Sequence, residues 1–168
     1  MEYLDIVNDK DEVIGKAEYS EIYKNKLPHR IVHVLIFNSK GEIALQIRSK
    51  NKSFCPGFFS TSAGGHVQAG ESHQQGALRE LEEELGIKLP LSLIAKSEYL
   101  GKEQIHKFLS IYQAESEGPF KFNKDEVENM EFISLDKIKI LLKTSDKFHP
   151  ELRFILEKYY LSSATRIC

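Results

Sequence analysis

The chain has 168 residues, enough for one domain with a real core and too few for two independent ones. Hydrophobic residues make up 41% and charged residues 29%, which excludes a disordered chain, and a formal net charge of −2 argues against a basic nucleic-acid binder. No apolar run approaches the ~20 residues needed to span a bilayer, the start lacks a signal peptide's basic and apolar regions, and Cys55 and Cys168 make neither a disulfide framework nor a four-ligand zinc site. The expectation is a soluble cytoplasmic domain with no nucleic-acid and no membrane partner.

The opening reads as a hairpin, Tyr3–Val7 and Val13–Ala17 flanking the polar turn Asn8-Asp9-Lys10-Asp11. A short helix over Ser20–Lys24 follows. Ile31–Phe37 is apolar except for His33 and predicts a strand buried on both faces, with His33 hydrogen-bonded in the core or on the sheet face. Asn38–Gly41 turns the chain into a strand over Glu42–Arg48, where Ile43, Leu45 and Ile47 alternate with Glu42, Ala44 and Gln46. Ser72–Leu85 is the strongest helix: Ser72 and Gln75 form a capping box, and Gly86 stands where a helix-ending glycine belongs. Strands are predicted over Ser92–Leu100, Gln104–Ala114 and Glu126–Ser134, and helices over Leu135–Lys143 and Pro150–Leu161. The reading is one mixed α/β domain over residues 1–161, with Ser162–Cys168 as a loose tail.

On the Ser72–Leu85 helix, Glu80, Glu83 and Glu84 fall within about 100° of arc, beside the apolar arc of Ala77, Leu78, Leu81 and Leu85. Like charges at these spacings destabilise a helix by a few tenths of a kcal/mol per pair, and the C-terminal end of the macrodipole disfavours them further. A set of oxygen ligands for a hard divalent cation accounts for the arrangement. Glutamates on a solvated helix face are the bland alternative.

The surrounding pattern decides between them. Gly65, five residues, Glu71, seven residues, then Arg79-Glu80-Leu81-Glu82-Glu83-Glu84-Leu85-Gly86-Ile87 resembles the Nudix box at every specified position. From average residue frequencies the chance of such a match is about one in ten million. The resemblance implies a Nudix fold, an α/β/α sandwich around a mixed sheet with the box as loop–helix–loop. It implies Mg²⁺, with Mn²⁺ as substitute, held by Glu80, Glu83, Glu84 and the carbonyl of Gly64, and an Arg79–Glu71 pair orienting the glutamates. Glu126, just ahead of an aromatic strand, falls where such proteins carry a further carboxylate for metal or base; a solvated strand end is its other reading.

The flanks resemble the isopentenyl-diphosphate isomerase branch, in Leu27-Pro28-His29-Arg30, Pro56-Gly57-Phe58-Phe59 and Gly64-Gly65-His66. The isomerase's catalytic cysteine position is Gly64 here, so the closer resemblance is to bacterial isomerase-like Nudix hydrolases. That likeness implies substrate contacts from His29 and His66, or else loop-stabilising roles for them, and diphosphate contacts from Arg48 and Lys52. Phe58 or Phe59 is a candidate to stack on a base, with the other in the core; Cys55 reads as a small buried hydrophobe. The implied reaction is hydrolysis of a diphosphate linked to another group, on a small-molecule substrate, and the family leaves a homodimer open. A non-catalytic binding module is the alternative in another class, against which the intact box argues.

Overall fold

The apolar run seen in the sequence becomes β3 (His29–Phe37), the strand around which everything else is placed. The computed structural model describes residues 1–162, and Cys168 and all but Ser162 of the expected tail lie outside the described residues. β3 lies parallel to β8 (His106–Glu115) along its whole length, and β7 (Ser92–Leu100) pairs antiparallel with β8 as the far edge. On its other side β3 changes partner. Ile31–Val34 pair with β6 (Ala63–His66), whereas Ile36 and Phe37 pair with β4 (Ile43–Arg48).

The gap between the diverging strands is filled by β5 (Phe59–Ser60) on β4 and by β6 on β3, and β9 (Val127–Ile133) closes the other side of β4. Ser62 stitches the fork: its hydroxyl accepts from the Ile36 amide at 2.8 Å and donates to the Ala44 carbonyl at 2.5 Å. β5 and β6 were not among the predicted strands. Both are short, and Ala63-Gly64-Gly65-His66 carries no period-2 apolar signal.

One face of the sheet is covered by α2 (His73–Leu85), with Val32, Val34, Ile36, Leu81 and Leu85 in a common core. The other is covered by α3 (Leu135–Thr144) and α4 (Pro150–Ile155), over Leu35, Leu45, Ile111, Ile138 and Leu152. This is the expected α/β/α sandwich around a mixed sheet. Two details differ from the sequence reading. Gln46 is buried, because β4 is covered on both faces. The single helix expected over Pro150–Leu161 ends as α4 at Ile155 and continues as a π-helical turn, Leu156–Tyr160, closed by the Leu161 amide on the Leu156 carbonyl at 2.9 Å.

The predicted hairpin is a separate two-stranded sheet, β1 (Tyr3–Val7) and β2 (Val13–Glu18), leading into α1 (Tyr19–Lys24). Leu4, Ala17 and Ile22 form its small core, and a bridge from Leu4 to Gln68 lays it against the loop before α2. Among the described residues no helix is long and apolar enough to cross a membrane.

Candidate active site

α2 begins and ends as its sequence dictates. The Ser72 hydroxyl accepts from the Gln75 amide, the Gln75 side chain accepts from the Ser72 amide, and Gly86 closes the helix at φ 62°. Burial of Ala77, Leu81 and Leu85 then turns the glutamates toward a cleft of about 920 Å³ at the fork of the sheet. Glu80, Glu83, Glu84, Arg79, Gly64 and Gly65 all line it.

Arg79 holds the centre of that wall. Its guanidinium donates to Glu71 Oε1 and Oε2 at 2.8 and 3.1 Å, to Glu80 at 2.7 Å, to Glu83 at 3.2 Å and to the His66 carbonyl at 2.8 Å. Glu84 is buried and accepts from Gln46 Nε2 at 2.7 Å, a partner absent from the sequence reading because Gln46 was placed on the polar side of its strand. A Cβ on Gly64 would stand 2.6 Å from the Val32 carbonyl oxygen, a backbone atom that leaves room only for glycine, and one on Gly65 would stand 2.5 Å from Glu80 Oε1, so the Glu80 carboxylate would have to move.

Burial raises the Glu80 carboxyl to about 7 against the pull of Arg79. Burial, then the charge of Glu80, raises Glu84 to about 8. Neighbouring carboxylates removed from water resist ionisation unless a cation joins them. Among the described residues no three His, Cys, Asp or Glu side chains already form a metal cage; Arg79 draws Glu80 and Glu83 to itself, and Lys52 draws Glu126. Three carboxylates of α2, with Glu126 and the backbone of Gly64 lining the same cleft, are nonetheless the kind of oxygen donor set that a hard divalent ion takes.

Glu126, Arg48 and Lys52 line the same cleft, and the Glu126 segment is tied to the end of α2 by the Asn123 amide on the Glu84 carbonyl at 2.9 Å. Lys52 Nζ lies 2.5 Å from Glu126 Oε2, and Arg48 Nε donates to the Phe54 carbonyl at 3.1 Å. His66 also lines the cleft, with Tyr23 Oη 2.7 Å from its Nε2; burial lowers its pKa to about 3, so it is neutral at physiological pH. His29 does not reach the cleft. It is fully buried, pairs through Nδ1 with the Leu27 carbonyl and stacks on His66 at 5.4 Å between centroids.

Phe58 stays off the cleft wall and Phe59 packs on Phe148, so neither is placed to stack on a base. The aromatic residue at that position is Phe54, 54% exposed and edge-on to His149. Cys55 is only half-buried, in the left-handed region at φ 51°, and does not line the cleft.

The cleft floor carries a network that sequence reasoning missed. Glu151, buried on α4, accepts from His33 Nε2 at 2.8 Å and from Lys107 Nζ at 2.9 Å; Lys107 also reaches Glu103 at 2.6 Å, and His33 Nδ1 meets Thr61 Oγ1 at 3.0 Å. Burial alone would raise the Glu151 carboxyl, but the His33 hydrogen bond and the charges of His33 and Lys107 hold it well below the usual carboxylate range. The expectation that His33 is a hydrogen-bonded residue of the sheet face is met. Its partner lies 118 positions away, beyond any local spacing signal.

Residues 27–153 match the NUDIX domain, a span that contains the forked sheet, α2 and the carboxylate wall. The chain belongs to the Nudix family. It is 34% identical over 170 residues to the uncharacterized Nudix hydrolase lmo0368 of Listeria monocytogenes, covering 99% of both chains. It is 32% identical over 151 residues to the uncharacterized Nudix hydrolase YfcD of Escherichia coli, covering 89% of this chain and 82% of that one. Among solved structures, DR0079 from Deinococcus radiodurans superposes with a TM-score of 0.82 at 25% identity, covering 95% of this chain and 99% of the other. This Nudix protein is accordingly an enzyme of the hydrolase class that acts on diphosphate bonds.

Proposed function

We propose that this Nudix hydrolase is divalent-metal-dependent, using Mg²⁺ or Mn²⁺, and cleaves a nucleoside diphosphate linked to another group or a similar small diphosphate ester. The observation that carries the reading is the convergence of charge on one cleft: Glu80, Glu83 and Glu84 on α2 line it together with Glu126, Lys52 and Arg48. Glu80, Glu83, Glu84, Glu126 and the Gly64 carbonyl would hold the metal. Bound there, the ion would neutralise phosphate oxygens and lower the pKa of an attacking water.

The chain's own groups supply the rest. Arg79, fixed by Glu71, sets the rotamers of Glu80 and Glu83, and Gln46 sets that of Glu84. A glutamate of the cluster takes the proton as water attacks phosphorus; the anhydride P–O bond breaks and the phosphate-bearing group leaves. Arg48 and Lys52 line the cleft and would grip the substrate's diphosphate. The Leu27-Pro28-His29-Arg30 and Gly64-Gly65-His66 segments support placement among isomerase-like members of the family, while alkene isomerisation itself is disfavoured because Gly64 stands at the cysteine position.

The test is phosphate and pyrophosphate release from nucleotides, nucleotide sugars, dinucleotides and isopentenyl diphosphate, with Mg²⁺, Mn²⁺ or chelator, beside Glu84→Gln. Metal-dependent release abolished in the variant is the expected result. Full turnover in excess chelator would overturn the mechanism, and silence with no metal binding would point to a binding module.

A further inference from the structure

Two cations of the site, Arg79 and Lys52, are held very differently. Arg79 makes five hydrogen bonds to three carboxylates and a carbonyl, and its side chain is 19% exposed. Among the described residues Lys52 Nζ hydrogen-bonds one partner, Glu126, with side chains 30% and 36% exposed. Both members of that pair are anchored through Ser49, whose amide donates to the Glu126 carbonyl at 3.0 Å and whose carbonyl accepts from the Lys52 amide at 3.2 Å. The backbone holds the Lys52 segment beside Glu126, while the long side chain is free to choose its partner.

We propose that Lys52 is an exchangeable cation: it neutralises Glu126 in the free enzyme and transfers to the substrate's diphosphate when a divalent ion takes Glu126. The exchange rests on the metal-dependent reading above. An exposed ion pair is weak enough to be displaced by either ligand. A divalent ion at the carboxylate wall repels the Lys52 ammonium, and a diphosphate at that ion attracts it, so each arrival favours the other. Such coupling is reciprocal: diphosphate tightens metal binding by the same factor by which metal tightens diphosphate binding. Arg79, locked by Glu71, is spectator to the exchange and keeps Glu80 and Glu83 oriented throughout.

The test is Mn²⁺ binding by calorimetry, with and without the non-hydrolysable methylenediphosphonate, in a double-mutant cycle of Lys52→Met and Glu126→Gln. A thermal melt of each variant confirms folding, which substitution at these half-exposed side chains leaves intact. The expected result is that Lys52→Met tightens Mn²⁺ alone by roughly threefold, weakens the enhancement by methylenediphosphonate, and has no effect on Mn²⁺ affinity once Glu126 is Gln. An equal tightening in both backgrounds would mean that Lys52 acts only through bulk charge and would overturn the exchange, as would no change in either. Failure of the unaltered protein to bind Mn²⁺ would overturn the metal reading itself, and the exchange with it.

Discussion

Arg79 grips Glu71 through two parallel hydrogen bonds, Nε to Oε1 at 2.8 Å and Nη2 to Oε2 at 3.1 Å, and the same carboxylate accepts from the Gln68 amide at 2.9 Å. The glutamate thus ties the loop before α2 to the guanidinium that orients Glu80 and Glu83. Replacing Glu71 by Gln removes the charge but not the shape. Supporting groups of this kind typically cost 10–100-fold when lost, so kcat/KM is expected to drop by about that factor while the fold persists. Unchanged steady-state kinetics in Glu71→Gln would refute the positioning role.

Gly65→Ala is expected to abolish activity out of proportion to its effect on stability. The added methyl would meet the Glu80 carboxylate at 2.5 Å, forcing the side chain away from Arg79. Mn²⁺ affinity and turnover should both fall steeply, and a fully active Gly65→Ala would show that the Glu80 position is not critical.

The raised carboxyls give a definite pH dependence. Between their ordinary value of 4.5 and their raised values of about 7 and 8, Glu80 and Glu84 hold more proton in the folded than in the unfolded state. Stability therefore falls as pH rises through this window. His66 and His149, depressed to about 3 and 4 chiefly by burial, act in the opposite direction, but their effect is complete by about pH 6.5, the ordinary histidine value. In chelator, the urea midpoint should decline from pH 6.5 to 8.5; Glu84→Gln and saturating Mg²⁺ should each flatten the decline. A slope identical in the variant would exclude Glu84 as its source.

Glu151→Gln should be the most destabilising charge-removing change at the cleft. It breaks a buried pair and leaves His33 and Lys107 without their shared acceptor charge, a loss of about 3–5 kcal/mol. Glu82→Gln, at the exposed Lys88–Glu82 pair, should change stability by no more than ~0.5 kcal/mol. Urea denaturation of the two variants side by side checks both figures.

The sequence carried the site's chemical wall because that wall is local. Glu71, Arg79, Glu80, Glu83 and Glu84 lie within fourteen positions, and helical periodicity sets the relative directions of the last four. The capping box and Gly86 fixed the limits of α2 for the same reason. What escaped was non-local or lacked a periodic signal. β5 is too short and β6 too short and glycine-rich to alternate, Gln46 became a partner of Glu84 only because β4 is covered on both faces, and the His33–Glu151–Lys107 network joins β3, α4 and β8. Phe54 rather than Phe58 lines the cleft because the loop between β4 and β5 folds back, Arg48 binding the Phe58 carbonyl through its amide and the Phe54 carbonyl through its side chain.

Because β3 passes its edge from β6 to β4 at the fork, the two rims of the cleft hang from different strands. Gly64 and Gly65 belong to the strand beside α2, whereas Lys52 and Phe54 ride on the loop that β4 sends out to β5. A lineage that lengthens or rewrites that loop alters one rim without disturbing the glycines or the glutamates of α2. Separate inheritance of this sort lets a single bond-breaking apparatus be retailored to new leaving groups by changes confined to a stretch of about ten residues.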